Sequence, residues 1–434
     1  MSKLEELIKE FCPNGVEYKP LWSLTAWDKR FNGIDCSMQK KVVSYKYYLS
    51  SEFNEVERKD GDILYIPTGI TNEKRYTTEE LAGEYLAEGE IVCIPWGGTP
   101  NVKYHKGKFV TGDNRIATSL DTNILNNKYL YYWMQSKIDL IASFYRGAGI
   151  QHPSMKSVLE LQIPLPALPV QREIVRILDS FTLYSAELTA ELTARRKQYE
   201  FYRDKLLNFN QQEVEIKKLS DIFDTRNGYT PSTSNKEYWA TNDIPWFRVE
   251  DIRANGRILN DSIQHVSFSA IKGKVFPANS IIISTSATIG EHALITCESI
   301  ANQRFTYLML KDQYKDKYKI KYLFYYCFLL ADFCRENLQQ GSFASVDMSK
   351  FNKFEFPIPP IDVQERIVKV LDNFDAICSD LGIGLPAEIE KRQKQYEYYR
   401  EKLLTFDMKS ETILRQTDRQ TDRQTDRQTD RQTG

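Results

Sequence analysis

The sequence predicts an α+β protein built as an internal repeat. Two globules alternate with two long helices that pair as an antiparallel coiled coil, in a pseudo-twofold plan. Three observations predict it. The stretch Pro164–Phe181 returns as Pro357–Phe374, and Lys197–Phe209 returns as Lys394–Phe406, with four extra residues between the halves of the second copy. No Pro or Gly occurs from Val170 to Phe209. Apolar residues there fall alternately four and three apart, at Ile174, Leu178, Phe181, Leu188, Leu192, Tyr199, Tyr202, Leu206 and Phe209, interrupted by Ser185 and Arg195. That is a heptad seam over five repeats, hence one helix of roughly 60 Å.

Taken in order, Met1–Phe11 reads as a short amphipathic helix, and Val16–Leu21 opens the first globule. Asp62–Ile66 and Glu90–Ile94 read as strands, and the run Tyr129–Trp133 as a helix. A Gly-bearing loop, Gly147–His152, follows, and Pro164, Pro166 and Pro169 stand as breakers ahead of the long helix. The second globule repeats the plan. It opens at Val214–Leu219, has strands at Ser280–Ser284 and Phe305–Leu310, and closes on a helix at Tyr322–Tyr326 and a loop at Gly341–Val346. The second long stretch meets Gly382, Gly384 and Pro386, so it should break into two helical pieces there. The segments are then 1–163, 164–210, 211–356, 357–408 and a tail, 409–434.

At 434 residues the chain has room for two to four domains, and 41% apolar with 12% aromatic residues suffices for real cores. Seven scattered cysteines without a CxxC pair, and only four histidines, support neither a disulfide frame nor a zinc site. Ser2–Lys9 is charged and no apolar run reaches membrane-spanning length, so a reduced, cytoplasmic protein is expected. A net charge of −1 requires any phosphate footprint to be local or shared with a partner.

The repeat carries a family resemblance. Each copy has a Pro-x-Pro run followed by Gln, Ile-Val and Leu-Asp (Pro164–Asp179 and Pro357–Asp372), and ends in Lys-Gln-Tyr-Glu-x-Tyr-Arg. The segment Ser185–Ala194 is similar to the tandem TAEL spacer of one subgroup. Over 1–406 the chain resembles the specificity subunit (HsdS) of type I restriction-modification systems. The resemblance implies two target recognition domains, each reading half of a split DNA sequence. It also implies helices that act as a ruler and dock two modification (methyltransferase) subunits, with restriction (nuclease) subunits joining them. S-adenosylmethionine, ATP and Mg are then expected in the partner subunits and no cofactor in this chain.

Base reading needs side-chain donors and acceptors on loops, with Arg, Asn, Gln and His best suited. In the first globule the candidates are Lys103, His105, Asn114, Arg115, Arg146, Gln151 and His152. In the second they are Thr285, Ser286, Asn302, Gln303, Arg304, Gln340 and Ser342. Asn302-Gln303-Arg304 resembles a loop common in the family, with Asn114-Arg115 its looser counterpart. For any one of these, a solvated loop residue is an equally good reading, so only the clusters carry weight.

Catalytic motifs are missing from the sequence. Pro359-Pro360-Ile361 lacks the preceding polar residue and following ring of an amino-methyltransferase motif, and there is no GxxxxGK[ST] phosphate loop. Thr285-Ser286 fits a strand-end turn better than a nucleophile, and Cys327 and Cys334 read as buried apolar residues. A non-catalytic DNA-recognition and scaffolding subunit follows. Two rivals remain: a single-chain methyltransferase or nuclease, and a coiled-coil adaptor without DNA contact.

The end of the chain is different in kind. From Arg415 to Thr433 it is a perfect Thr-Asp-Arg-Gln cycle without apolar residues, which is expected to be disordered. That tetrapeptide can be written as the tetranucleotide ACAG read three times, in every frame. A slippage-prone DNA tract, and with it phase variation of the terminus, is the expectation.

Overall fold

The computed structural model describes residues 2–71, 73–209, 214–339, 344–379 and 384–406. The heptad stretch is one helix of 40 residues, Leu168–Leu207. Pro169 falls inside its first turn, where a missing N–H removes no intrahelical bond. The second copy forms two helices, Ile361–Ser379 and Leu385–Leu403, and Pro386 again occupies a first turn. The chain folds as two compact units, Met1–Ser185 together with the chain from Arg392, and Ala186–Lys391.

In the first unit the strands Thr25–Trp27 (β1), Ile63–Ile66 (β2), Arg75–Thr77 (β3), Ala87–Pro95 (β4), Lys103–Thr111 (β5) and Asn114–Ser119 (β6) form a sheet in the order β1-β6-β4-β5-β2-β3. The apolar run in β4 has both faces covered, and its side chains alternate between them. Val92 and Ile94 pack with Tyr129, Leu130 and Trp133 of the helix Asn127–Ser136, while Ile91 and Cys93 pack with Ile66, Phe109 and Ile116. Asn126 starts that helix by accepting from the backbone N–H of Lys128 and Tyr129.

The second unit alternates in the same way. Its strands are Phe223–Asn227 (β7), Ile244–Phe247 (β8), Ile258–Leu259 (β9), His265–Val266 (β10), Ser280–Ser284 (β11), His292–Ile295 (β12), Ile300–Ala301 (β13) and Phe305–Leu310 (β14); the main sheet is ordered β7-β14-β11-β12-β9 and a small sheet β10-β8-β13. Ile281 and Ile283 pack with the helix Ile320–Glu336 and Ile282 with the opposite core. Cys327 and Cys334 are fully buried in that helix, and burial pushes the Cys334 thiol up to about 12.

The repeated motif works as a bolt between globule and helix. Gln171, buried, donates to the carbonyls of Pro166 and Ile124 (2.8 Å each) and accepts from Asn126 N (2.9 Å) at the start of the tyrosine helix. Gln364 donates to Pro359 O (2.9 Å) and accepts from Lys319 N (2.9 Å). Asp179 accepts from Tyr132 Oη (2.6 Å) and Lys128 Nζ (2.8 Å); Asp372 accepts from Tyr325 Oη (2.6 Å) and Lys321 Nζ (2.8 Å). Tyr129 and Tyr322 donate to Pro164 O and Pro357 O (3.0 and 2.8 Å). The Gln, Asp and Pro of the motif are thus a polar contact set, used once in each unit.

Each unit also contains an antiparallel helix contact. In the first, Phe181 stacks on Tyr399 (5.5 Å between centroids) and Arg392 lies over Tyr184 (5.1 Å), so numbers rise on one helix as they fall on the other. In the second, Tyr199 meets Phe374 (6.1 Å), and Leu207 shares a core with Ile367 and Leu371. The two ends of each globule lie side by side, because Glu17–Pro20 pairs antiparallel with Gln162–Leu165, and Glu215–Lys218 with Glu355–Ile358. No helix among the described residues is long and apolar enough to cross a membrane.

Candidate nucleic-acid interface

In the first globule one end of the sheet gathers most of the expected residues. The turn between β4 and β5 carries Trp96, whose backbone N–H donates to Asp113 O (3.0 Å). Gly97 permits a close approach there, since a Cβ would lie 2.7 Å from the Ile150 side chain. His152 follows, its Nδ1 2.8 Å from Trp96 O and its ring 5.0 Å from the indole. Arg146 pairs with His152 across a two-residue ladder, and Gln151 O accepts from Gly98 N (3.3 Å). Arg146, Gln151 and His152 are exposed and form one polar rim.

Three other candidates in this globule are committed inward. Asn114 is 3% exposed and donates to Ile66 O (2.9 Å) and Thr111 Oγ1 (3.1 Å). Arg115, 2% exposed, lies 4.5 Å over the Trp96 ring and bonds Asp28 (3.1 Å) and Asp113 (2.7 Å). Burial pushes the Asp28 carboxyl up against the pull of Arg115. The Lys103 ammonium donates to Pro67 O and to Thr68 O (3.0 Å), and burial lowers its pKa. The expectation that Asn114 and Arg115 face bases is corrected, since both are buried; with those of half-buried Lys103, their bonds run to backbone carbonyls, the Thr111 hydroxyl and carboxylates. His105 sits apart, two positions along β5, against Lys108 O (3.0 Å) and the Phe109 ring. Unmarked in the sequence is a cavity of about 610 Å³ beside Arg115, with the exposed cations Lys29, Arg30 and Lys156 in its lining.

The second globule gathers its candidates at the end where β11 stops and β14 starts. Thr285 N donates to Arg304 O (2.9 Å) and Thr285 Oγ1 is 3.0 Å from Thr306 Oγ1; Ser286 continues that strand end. Asn302 Oδ1 accepts from Arg304 N (3.1 Å), which closes a tight turn. Gln303 Oε1 accepts from Thr230 Oγ1, and Gly228 allows this contact, because a Cβ would fall 2.4 Å from the carbonyls of Ala301 and Asn302. Arg304 is exposed, and among the described residues its guanidinium has no partner. Gln340 and Ser342 lie outside the described residues. A second feature unmarked in the sequence is a cleft walled by Trp239 and Trp246 beside this turn.

Both ends present amide and guanidinium groups on turns held by hydrogen bonds, and the first adds the His152 imidazole, the equipment of base-edge and phosphate contact. The comparisons agree with that chemistry. A family described as the type I restriction modification DNA specificity domain matches residues 43–195 and 211–391. The specificity subunit of the type I restriction enzyme EcoprrI from Escherichia coli is 55% identical over 202 residues, covering 45% of this chain and 50% of that protein. The EcoR124I/EcoR124II specificity subunit from Escherichia coli is 39% identical over 378 residues, 82% of this chain and 91% of that one. The crystal structure of the S subunit of a type I restriction-modification system from M. genitalium shares the fold, with a TM-score of 0.57 at 15% identity over 91% of this chain and 97% of that one. The chain belongs to the type I restriction-modification DNA specificity family.

Proposed function

We propose that the chain is the non-catalytic, sequence-reading and scaffolding subunit of a cytoplasmic type I restriction-modification complex. Each globule, 1–163 and 211–356, reads one half of a split DNA target, and the helical segments 164–210 and 357–408 set the distance between halves and dock two modification subunits. Restriction subunits complete the assembly, and S-adenosylmethionine, ATP and Mg belong to those partners. One observation carries the reading: the same bolt, Gln171 with Asp179 and Gln364 with Asp372, holds two differently furnished polar ends. Methylome sequencing of cells that express the chain with its modification subunit tests it. A bipartite methylated motif is expected; methylation or cleavage by the purified chain alone would refute the reading.

The segment Ser185–Ala194 supports membership of the TAEL-spacer subgroup. One added four-residue unit lengthens a helix by about 6 Å against roughly 3.4 Å per base-pair step. A third unit should widen the unread spacer by one or two base pairs and leave both half-sites as they are. An altered half-site at constant spacing would count against the ruler. The Thr-Asp-Arg-Gln tail lies outside the described residues, and we read it as the product of a slippage-prone tract. Deleting 415–434 should leave specificity unchanged, and sequencing many colonies should reveal tract lengths that vary.

A further inference from the structure

The sequence-marked residues do not exhaust the polar end of the second globule. Strands β8 and β13 run parallel, with Trp246 opposite Ile300 and Phe247 opposite Ala301. Parallel strands release their next residues on the same edge, so Arg248 emerges beside Asn302, whose N–H donates to Phe247 O (3.0 Å). An open cleft of about 490 Å³ lies there, lined by Thr233, Lys236, Trp239, Trp246, Arg248 and Gln264. The two indoles meet edge to face at 4.9 Å. Each turns its N–H inward, Trp239 to Ser232 O and Trp246 to Tyr229 O (3.1 Å each), so the cleft sees ring surface.

The polar side chains of this cleft are only lightly engaged by the rest of the chain. Among the described residues the Arg248 guanidinium and the Gln264 amide make no hydrogen bond and Lys236 has no ion pair; the guanidinium has a long ion pair to Glu250, 4.0 Å from Nε. Their backbones, by contrast, are fixed. Asp251, fully buried, accepts from Arg248 N and from Ile263 N (2.6 Å each), and Ser262 Oγ accepts from Trp246 N (3.0 Å) and donates to Gln264 O. Arg248 also stacks over the Trp246 ring at 5.5 Å, which limits its rotamers. Two recognition groups without hydrogen bonds of their own, on a locked frame, suit a ligand with edge-on donors and acceptors. A forked guanidinium matches guanine O6 and N7, and a primary amide matches adenine N6 and N7.

We infer that Arg248 and Gln264, on the tryptophan-walled cleft where β8 and β13 end, read base edges in the half-site of the second globule, with Lys236 on a neighbouring phosphate. The inference rests on the proposed DNA-reading function and names the groups that carry its second half. It is tested in the complex of full-length chain and modification subunits, by methylome sequencing and by methylation of duplexes with single base-pair changes. Arg248→Ala and Gln264→Ala should each lower discrimination roughly ten- to hundred-fold at one or two positions of one half-site, with the other half unchanged. Lys236→Ala should weaken binding evenly across sequences and reduce its salt dependence. Gln264→Ala removes no hydrogen bond of the free chain, so its thermal unfolding should match the parent and keep the test readable. Both half-sites read with parental discrimination, or an even loss in both, would overturn the assignment while leaving the function standing. A parent complex without any bipartite motif would overturn both.

Discussion

The two globules are bolted to their helices alike and finished differently, and their arginines show it best. Arg115 is the second residue of the last strand of the first sheet and is sealed between Asp28, Asp113 and the Trp96 ring. Arg304 immediately precedes the last strand of the second globule, Phe305–Leu310, and is exposed, its guanidinium without a partner among the described residues. The same side chain is a structural ion in one half and an available donor in the other. What separates them is acid supply, since β1 leads directly into Asp28 in the first unit. A guanidinium reads DNA only where the fold has not already neutralised it.

That contrast gives the largest expected effect. Arg115→Ala leaves Asp28 buried without its partner and should destabilise the first unit by roughly 3–5 kcal/mol. Hydrogen exchange should show lost protection in 1–185 and none in 186–391; a stable Arg115→Ala protein with altered target choice would reverse the assignment.

Next come the bolts, where the halves should behave alike. Gln171→Ala and Gln364→Ala each strand buried backbone groups, at a cost of roughly 1–3 kcal/mol apiece. Urea unfolding of the two variants should give similar losses, and a gap above that range would mean the repeat is not energetically equivalent.

The third effect belongs to the second unit alone. His292 is buried between Phe324 and Phe328, and burial pulls its pKa down to about 3. Below pH 6.5 the unfolded imidazole binds a proton that the folded one refuses, so stability present at neutral pH is lost as pH falls. The loss should reach about 2 kcal/mol at pH 5. Comparing His292→Gln with the parent at pH 7 and pH 5 isolates it, and equal slopes would refute the account.

Smallest is Arg304→Ala, which should move stability by less than about 0.5 kcal/mol. Its effect should appear instead in DNA affinity of the complex, and unchanged affinity would remove Arg304 from the interface.

The sequence was most legible where the pattern was local and periodic. The heptad spacing over Val170–Phe209 foretold the helix found at Leu168–Leu207, and the apolar runs foretold β11 and β14 to the residue. The repeat also pointed to Gln171 and Asp179, though not to the fact that both bond the tyrosine helix. Illegible were pairings set by tertiary distance. Nothing near Arg115 signals that Asp28 will meet it, and nothing near Arg248 signals that β13 will run parallel beside it. Residue type could not say that Lys103, His105, Asn114 and Arg115 would fall in strands, nor which donors were already engaged.

One further feature bears on how the molecule is made. The second unit is a continuous stretch, Ala186–Lys391, whereas the first is closed by residues that follow Arg392. Leu404 is 3% exposed in the first core beside Leu4, Cys12 and Val16, and Tyr18 Oη donates to Phe406 O (2.8 Å). On the ribosome the order of completion is therefore the reverse of the order of synthesis. The unit begun first keeps an apolar seat open until nearly the whole described chain has emerged, and shields it last.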